Sequence, residues 1–176
     1  MVEIVYHVAV SLDGYIASPD GGVEWLPSLE EGSDYGYSEF YASVDALLMG
    51  RQTYEKALEF GSWVYPGKPC WVFSKREIKV EQPDVILTTK SPNELIAELN
   101  ARQHKRVWLV GGGQLASSFR AHGLISEYIF AVIPIVLGAG IPLFAASGPQ
   151  EKLKLVECKP FPDGAILLRY LQDKTA

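Results

Sequence analysis

Residues 106–122, R-V-W-L-V-G-G-G-Q-L-A-S-S-F-R-A-H, decide the fold. Val107 to Val110 is a short apolar run rich in β-branched and aromatic residues and reads as a buried strand. Gly111, Gly112 and Gly113 follow as bare backbone. Leu115, Ala116 and Phe119 then share one helical face, and Gly123 supplies a stop. A strand, a glycine run and a helix start leave free N–H groups and the positive end of a helix dipole open to close approach, which favours an anion. Each such contact contributes about 0.3–1 kcal/mol, up to about 2 when partly buried, so a diphosphate needs further partners. The alternative is a tight turn without a ligand. The fingerprint G-x-G-x-x-G is not met, because position 116 is alanine and no acidic residue ends a second strand about 20 residues on. The P-loop pattern also fails, since no Lys-Ser/Thr pair follows the glycines.

Two strand ends elsewhere look similar. Ala46 to Met49 reads as a strand that runs into G-R-Q-T-Y-E, with Gly50 followed by a helix start carrying Arg51, Gln52 and Thr53. Pro69 to Ser74 holds a strand followed at once by Lys75 and Arg76, two cations suited to a phosphomonoester. Taken singly, each is equally a charged surface turn. In a parallel sheet all three lie at one edge, where ligands bind in open α/β folds. Together they would suit a dinucleotide carrying an extra 2′-phosphate, NADPH.

The remaining elements follow from periodicity and punctuation. Ile4 to Val10 is apolar at nearly every position, as in a strand buried on both faces, and leads into S-L-D-G-Y-I-A with a turn at Asp13-Gly14. Ser18 to Pro27 is a loop around Trp25, either a plain surface loop or a lid beside a site. Asp34 to Ser43 is predicted helical, with Tyr37, Phe40 and Tyr41 on one face, Ser33 as N-cap and Asp34 in the first turn. Val85 to Thr89 is a strand; Ser91 and Pro92 open a helix running to about Gln103. Ser126 to Val136 is a long apolar strand, and a glycine- and proline-punctuated loop continues to Phe144. Leu153 to Cys158 and Ala165 to Leu171 form a hairpin about Pro162-Asp163-Gly164. The expectation is one α/β domain over residues 1–176: a mixed, mostly parallel sheet with an antiparallel C-terminal hairpin and helices on both faces.

Composition narrows the function classes. A formal net charge of −5 without a basic cluster argues against nucleic acid. Cys70 and Cys158 make neither a disulfide framework nor a metal spacing, and read as two buried reduced thiols. His7, His104 and His122 match no metal site and read as structural. No apolar run approaches the roughly 18 residues of a membrane span, and no basic n-region precedes an apolar core. A soluble, cytoplasmic protein acting on a small molecule is expected, with no membrane or metal.

The motifs resemble a known family. M-G-R-Q-T-Y-E is similar to the M-G-R-x-T-x-E of dihydrofolate reductases, and V-G-G-G-Q-L to their glycine triplet. S-L-D-G-Y-I-A, G-L-I-S-E-Y and P-I-V-L-G-A-G-I-P-L-F resemble the reductase domain of the bifunctional riboflavin-biosynthesis deaminase/reductase, which shares the dihydrofolate-reductase fold. The resemblance spans essentially the whole chain and implies NADPH-dependent hydride transfer on a three-layer fold. It implies that Ala9 and Ile16 hold the nicotinamide carboxamide through their backbones. Gly50, Arg51, Gln52 and Thr53 match phosphate contacts. Ser74, Lys75 and Arg76 match the adenosine-phosphate site, and Val110, Gly111, Gly112, Gly113, Gln114 and Leu115 the diphosphate turn. Trp25 matches a substrate-side lid, and Asp34 the active-site carboxylate that binds the substrate ring and aids its protonation.

Two departures bear on the substrate. Where folate reductases carry an arginine that forks onto the folate glutamate, this chain has Lys68, a point charge without that grip. The riboflavin enzyme's threonine- and arginine-containing substrate motif is absent, and there is no deaminase H-x-E with P-C-x-x-C. A stand-alone reductase is implied. Its first expected substrate is 5-amino-6-(5-phosphoribosylamino)uracil and its second dihydrofolate. A nucleotide-binding protein without turnover is the contrasting reading. The resemblance further implies a homodimer, with the apolar Ser126 to Phe144 region either interfacial or core.

Overall fold

The computed structural model describes residues 1–28, 34–146 and 148–173. The chain begins with β1 (Glu3–Ser11), β2 (Tyr15–Ala17), α1 (Tyr37–Ser43), β3 (Ala46–Gly50) and α2 (Arg51–Leu58). It continues with β4 (Cys70–Phe73), β5 (Val85–Thr88), α3 (Pro92–Ala101), β6 (Arg106–Gly111) and α4 (Gly113–Ala121). It ends with β7 (Glu127–Ile133), β8 (Ile141–Pro142), β9 (Leu153–Pro160) and β10 (Ile166–Gln172).

Eight strands form one sheet in the order β5-β4-β3-β6-β1-β7-β10-β9. The first six are mutually parallel, β10 runs antiparallel to β7, and β9 pairs antiparallel with β10 as the outer strand of a hairpin. Side chains alternate across a strand, so an unbroken apolar run needs cover on both faces. That cover is present. Leu95 and Leu99 of α3 and Ala116 and Phe119 of α4 bury Ile4, Tyr6, Leu48 and Leu109 on one face. Phe40 of α1 and Tyr54 of α2 bury Val5, Leu47, Met49 and Trp108 on the other. The expected mixed sheet with helices on both faces is what the chain forms.

Local signals hold well at α3. Glu94 N–H donates to Ser91 Oγ at 3.4 Å, and Ser91 N–H donates to the Glu94 carboxylate at 2.8 Å, with Pro92 at the first position. This reciprocal cap is worth about 1 kcal/mol.

Several expectations meet a different outcome. The helix expected from Asp34 begins at Tyr37, because Tyr35 (φ 51) and Gly36 (φ 78) are left-handed and end the regular backbone. The expected N-cap Ser33 lies outside the described residues. The strand expected to reach Val136 stops at Ile133, where Pro134 has no N–H to continue a ladder. Ile141 to Pro142, read as loop, pairs with Tyr15 to Ala17 as a small second sheet. Cys158 is exposed on edge strand β9; only Cys70 is buried, and burial pushes its thiol up to about 12. Finally, β7 lies between β1 and β10, so much of the Ser126 to Phe144 region is core. Val136 in that region stays exposed, and further exposed apolar side chains are Leu153, Leu155 and Val156 of β9 and Ile166 and Leu171 of β10.

Candidate active site

Parallel pairing brings the ends of β3, β4 and β6 to one edge: Gly50 lies beside Phe73, and Met49 beside Gly111. The first and third turns touch. A Cβ added to Gly50 would lie 3.8 Å from Gly111 O and Gly112 N, and one on Gly112 would lie 3.6 Å from Thr53 Oγ1. Gly111 has φ +128, its peptide to Gly112 is cis, and no protein atom stands within 4 Å of where its Cβ would be. Neither α2 nor α4 has a side-chain N-cap; Gly50 and Gly112 occupy those positions. The first-turn N–H groups of two helices are therefore not capped by a side chain beside open, bare backbone, a cradle suited to an anion.

Gly113 belongs to this turn for a different reason. A Cβ there would meet Pro142 O at 2.3 Å, and Ala145 N–H donates to Gly113 O at 3.3 Å. Its missing side chain seats the 142–145 loop rather than a ligand. Val110 and Leu115 point into protein, leaving their backbones to the cradle, while Gln52 and Gln114 are exposed at its rim.

Beside the cradle, Ser74, Lys75, Arg76, Glu77, Leu87, Thr88 and Thr89 line a cavity of about 250 Å³ at the ends of β4 and β5. Arg76 N–H donates to Ser74 Oγ at 3.1 Å and Ser74 Oγ–H donates to Arg76 O at 2.7 Å, which fixes the turn. Among the described residues neither Lys75 nor Arg76 has an ion-pair partner. Arg51 differs: its guanidinium lies 2.8 Å from the Glu55 carboxylate one helical turn on.

The far end of the edge is built by β1. Ala9, Trp25, Leu26, Tyr35 and Phe161 all pack against one buried cluster of Ala131, Ile133 and Ala165, which brings the loop holding Trp25 back to the same end of the sheet as Ala9. Ile16 lies in β2, which is anchored through Asp13. The Asp13 carboxylate accepts from Ser11 Oγ at 2.6 Å and from the N–H groups of Leu137 and Gly138 at 3.1 and 2.8 Å. The Ser11 hydroxyl first, then those amides, hold this carboxyl below its usual range. The S-L-D-G motif thus ties two loops together. Tyr35, which no sequence signal marked, donates its hydroxyl to Asp163 in the β9–β10 turn and stands edge-on to Phe161 at 4.9 Å.

Asp34 sits next to Tyr35, yet its carboxylate faces the start of α1. It accepts from Gly36 N–H and Ser38 N–H, both at 2.9 Å. Hydrogen bonds from Ser38 and Gly36 hold the carboxyl below its usual range, so it is ionised at neutral pH and supplies no proton in this arrangement. Lys68 is not brought to the turns. Its ammonium donates to Val44 O and stands 4.9 Å over the Tyr41 ring, near the starts of β3 and β4.

Known proteins share this fold. Residues 2–167 match the RibD C-terminal domain family. The uncharacterized protein YwjB of Bacillus subtilis is 37% identical over 171 residues, 97% of this chain and 98% of that one. A candidate riboflavin biosynthesis protein from Shewanella sp. PV-4 superposes with a TM-score of 0.88 at 31% identity, over 99% of this chain and 100% of that one. The diaminohydroxyphosphoribosylaminopyrimidine deaminase/5-amino-6-(5-phosphoribosylamino)uracil reductase of Thermotoga maritima shares the fold at 19% identity and a TM-score of 0.76; the match covers 98% of this chain but 57% of that longer one. With a family match over all but the two ends and the same fold behind it, this chain belongs to the RibD C-terminal domain family.

Proposed function

We propose that the protein is an NADPH-dependent reductase that transfers a hydride to a polarised C=N or C=O carbon of a ribosylaminopyrimidine, with 5-amino-6-(5-phosphoribosylamino)uracil as the first substrate to test. One observation carries this reading: the Gly50–Thr53 and Gly111–Gly112 turns touch at one sheet edge, next to the Ser74–Arg76 cavity. The residues present fit the cofactor, because bare backbone and two helix starts without side-chain caps suit a diphosphate and free cations suit a further phosphate.

When bound, NADPH supplies the hydride. The chain supplies position and dryness. Backbone N–H groups at Arg51 to Thr53 and at Gly112 to Leu115 hold the diphosphate. Lys75 and Arg76 take the 2′-phosphate, and Arg51 joins the diphosphate by leaving Glu55. The backbones of Ala9 and Ile16 orient the carboxamide, while Trp25 and Tyr35 close the substrate side against water. The exposed apolar side chains along β9 and β10 support a homodimer through that edge.

Lys75→Ala combined with Arg76→Ala is expected to weaken NADPH binding by roughly 10–100-fold, the worth of one or two charge-assisted hydrogen bonds, with NADH binding unchanged. Calorimetry with both cofactors decides it, and equal losses refute the 2′-phosphate assignment. For Asp34→Asn, NADPH affinity should stay intact and turnover fall. Unchanged turnover removes Asp34 from the reaction and leaves it only the helix cap.

A further inference from the structure

Two of the three histidines are accounted for locally. His104 Nδ1 lies 3.2 Å from Asp45 Oδ1, and His122 Nδ1 lies 2.8 Å from Ser118 O. His7, in the middle of β1, is not. It is 9% exposed, and its Nδ1 is sealed with no hydrogen-bond partner among the described residues. Its Nε2 is the nitrogen left open, and it too has no protein partner there. The ring stands edge-on to Phe40 of α1, 4.2 Å between centroids, and 6.1 Å from Trp108. Trp108 Nε1 donates to His7 O at 2.9 Å, so the backbone beneath the ring is pinned. Folded proteins leave few buried polar groups without a partner, and each one asks for an explanation. Burial first, then the Arg106 charge, lower this imidazole to about 4. It is neutral at physiological pH, with one N–H donor and one acceptor lone pair.

Position says what the ring faces. Side chains alternate along a strand, so His7 and Ala9 share one face of β1, about 7 Å apart. The same face carries their β7 neighbours Ile129 and Ala131. Ala9 is the predicted nicotinamide contact, and it packs against the same buried cluster as Trp25 and Tyr35. A ring two residues deeper lies between the sheet and α1, under the space beside the nicotinamide.

We propose that His7 is the floor of the substrate pocket and that its imidazole hydrogen-bonds the polar edge of a planar heterocycle, orienting that substrate against the nicotinamide. The proposal rests on the reductase reading and deepens it by naming the ligand class. Nε2 of a neutral imidazole donates or accepts one hydrogen bond according to tautomer, so it suits a ring with a donor or an acceptor at its edge, and the amide edge of a uracil offers both. A purely apolar ring would leave Nε2 without a partner as well and is disfavoured, because a site built for hydrogen bonds rejects a ligand that cannot make them.

The test uses NADPH-saturated protein with 5-amino-6-(5-phosphoribosylamino)uracil as probe, followed by steady-state kinetics and by the Cε1–H NMR signals of the histidines. The His7 signal is expected to move on titration, with His104 and His122 still as internal controls. His7→Phe should raise KM for the probe by about tenfold, the effect of one lost hydrogen bond, and leave NADPH affinity unchanged. His7→Gln, which keeps a donor and an acceptor, should stay within about threefold of wild type. An unchanged KM in His7→Phe together with a raised melting temperature overturns the proposal, since His7 is then a core residue only. If the wild type binds NADPH but does not consume the probe, the substrate assignment above fails. The His7 signal then decides this inference alone: movement supports the pocket floor, and a signal that stays still overturns it.

Discussion

Replacing Glu127 with glutamine is expected to lower stability by about 3 kcal/mol, the lower end of what removing one partner of a buried ion pair costs. Glu127 opens β7 and is 3% exposed. Arg169 Nε donates to its Oε1, and Arg106 donates to its Oε2 at 2.8 Å. One carboxylate therefore neutralises two guanidiniums across β6, β7 and β10. Glutamine keeps the volume and one acceptor oxygen but removes the charge. Two cations are then left together, with only the more distant Glu3, 3.5 Å from Arg106, to offset them. The arginine side chains are 23% and 40% exposed, so water repays part of the loss, which selects the lower figure. The measurement is the urea midpoint at unchanged slope. A loss under about 1 kcal/mol would mean that solvent already satisfies both guanidiniums. The cluster lies at the strand starts, away from the glycine turns, so NADPH affinity should not follow stability.

Gly113→Ala and Gly112→Ala are expected to fail in opposite ways. At position 113 the new methyl would stand 2.3 Å from Pro142 O, with Leu143 O and Ala145 N at 3.4 Å. The obstacle is backbone, so the 141–145 segment must shift and strain β8 against β2. Alanine gains about 1 kcal/mol over glycine in a helix. Overpacking against immobile atoms costs up to about 3, so a net loss of about 2 kcal/mol is expected. Thermal unfolding should fall by roughly 4–8 °C for a chain of this size. At position 112 the methyl meets only Thr53 Oγ1, at an ordinary 3.6 Å. Folding should be unaffected, while the methyl intrudes on the diphosphate and NADPH affinity falls about tenfold or more, a cost of about 1.4 kcal/mol. Two stable proteins with equal cofactor affinity would show that this backbone faces no ligand.

Much of the architecture was legible beforehand. The apolar runs at Ile4, Ala46, Pro69, Val85 and Val107 became parallel strands. The glycine after Met49 and the glycines after Val110 became strand ends from which helices start. These signals are local, since periodicity and the loss of side chains at glycine act within a few residues. Their meeting at one edge was legible too, because β/α order forces strands into parallel and their ends onto one side.

The sequence by itself determined the order of elements, the two-sided burial of the sheet and the shared edge on which the glycine turns lie. Tertiary structure alone decided the rest. Gly113 is short of a side chain because of Pro142, and Glu127 is tolerated in a core because of Arg106 and Arg169. Asp34 accepts from two N–H groups at the start of α1, which begins three residues later than expected. His7 differs from a satisfied core histidine only in that its Nδ1 has no hydrogen-bond partner among the described residues. The physical reason is common to all four. Periodicity is a property of neighbours along the chain, whereas a close approach or a missing partner depends on which distant atoms the strand register brings near, and no short stretch of residues encodes that register.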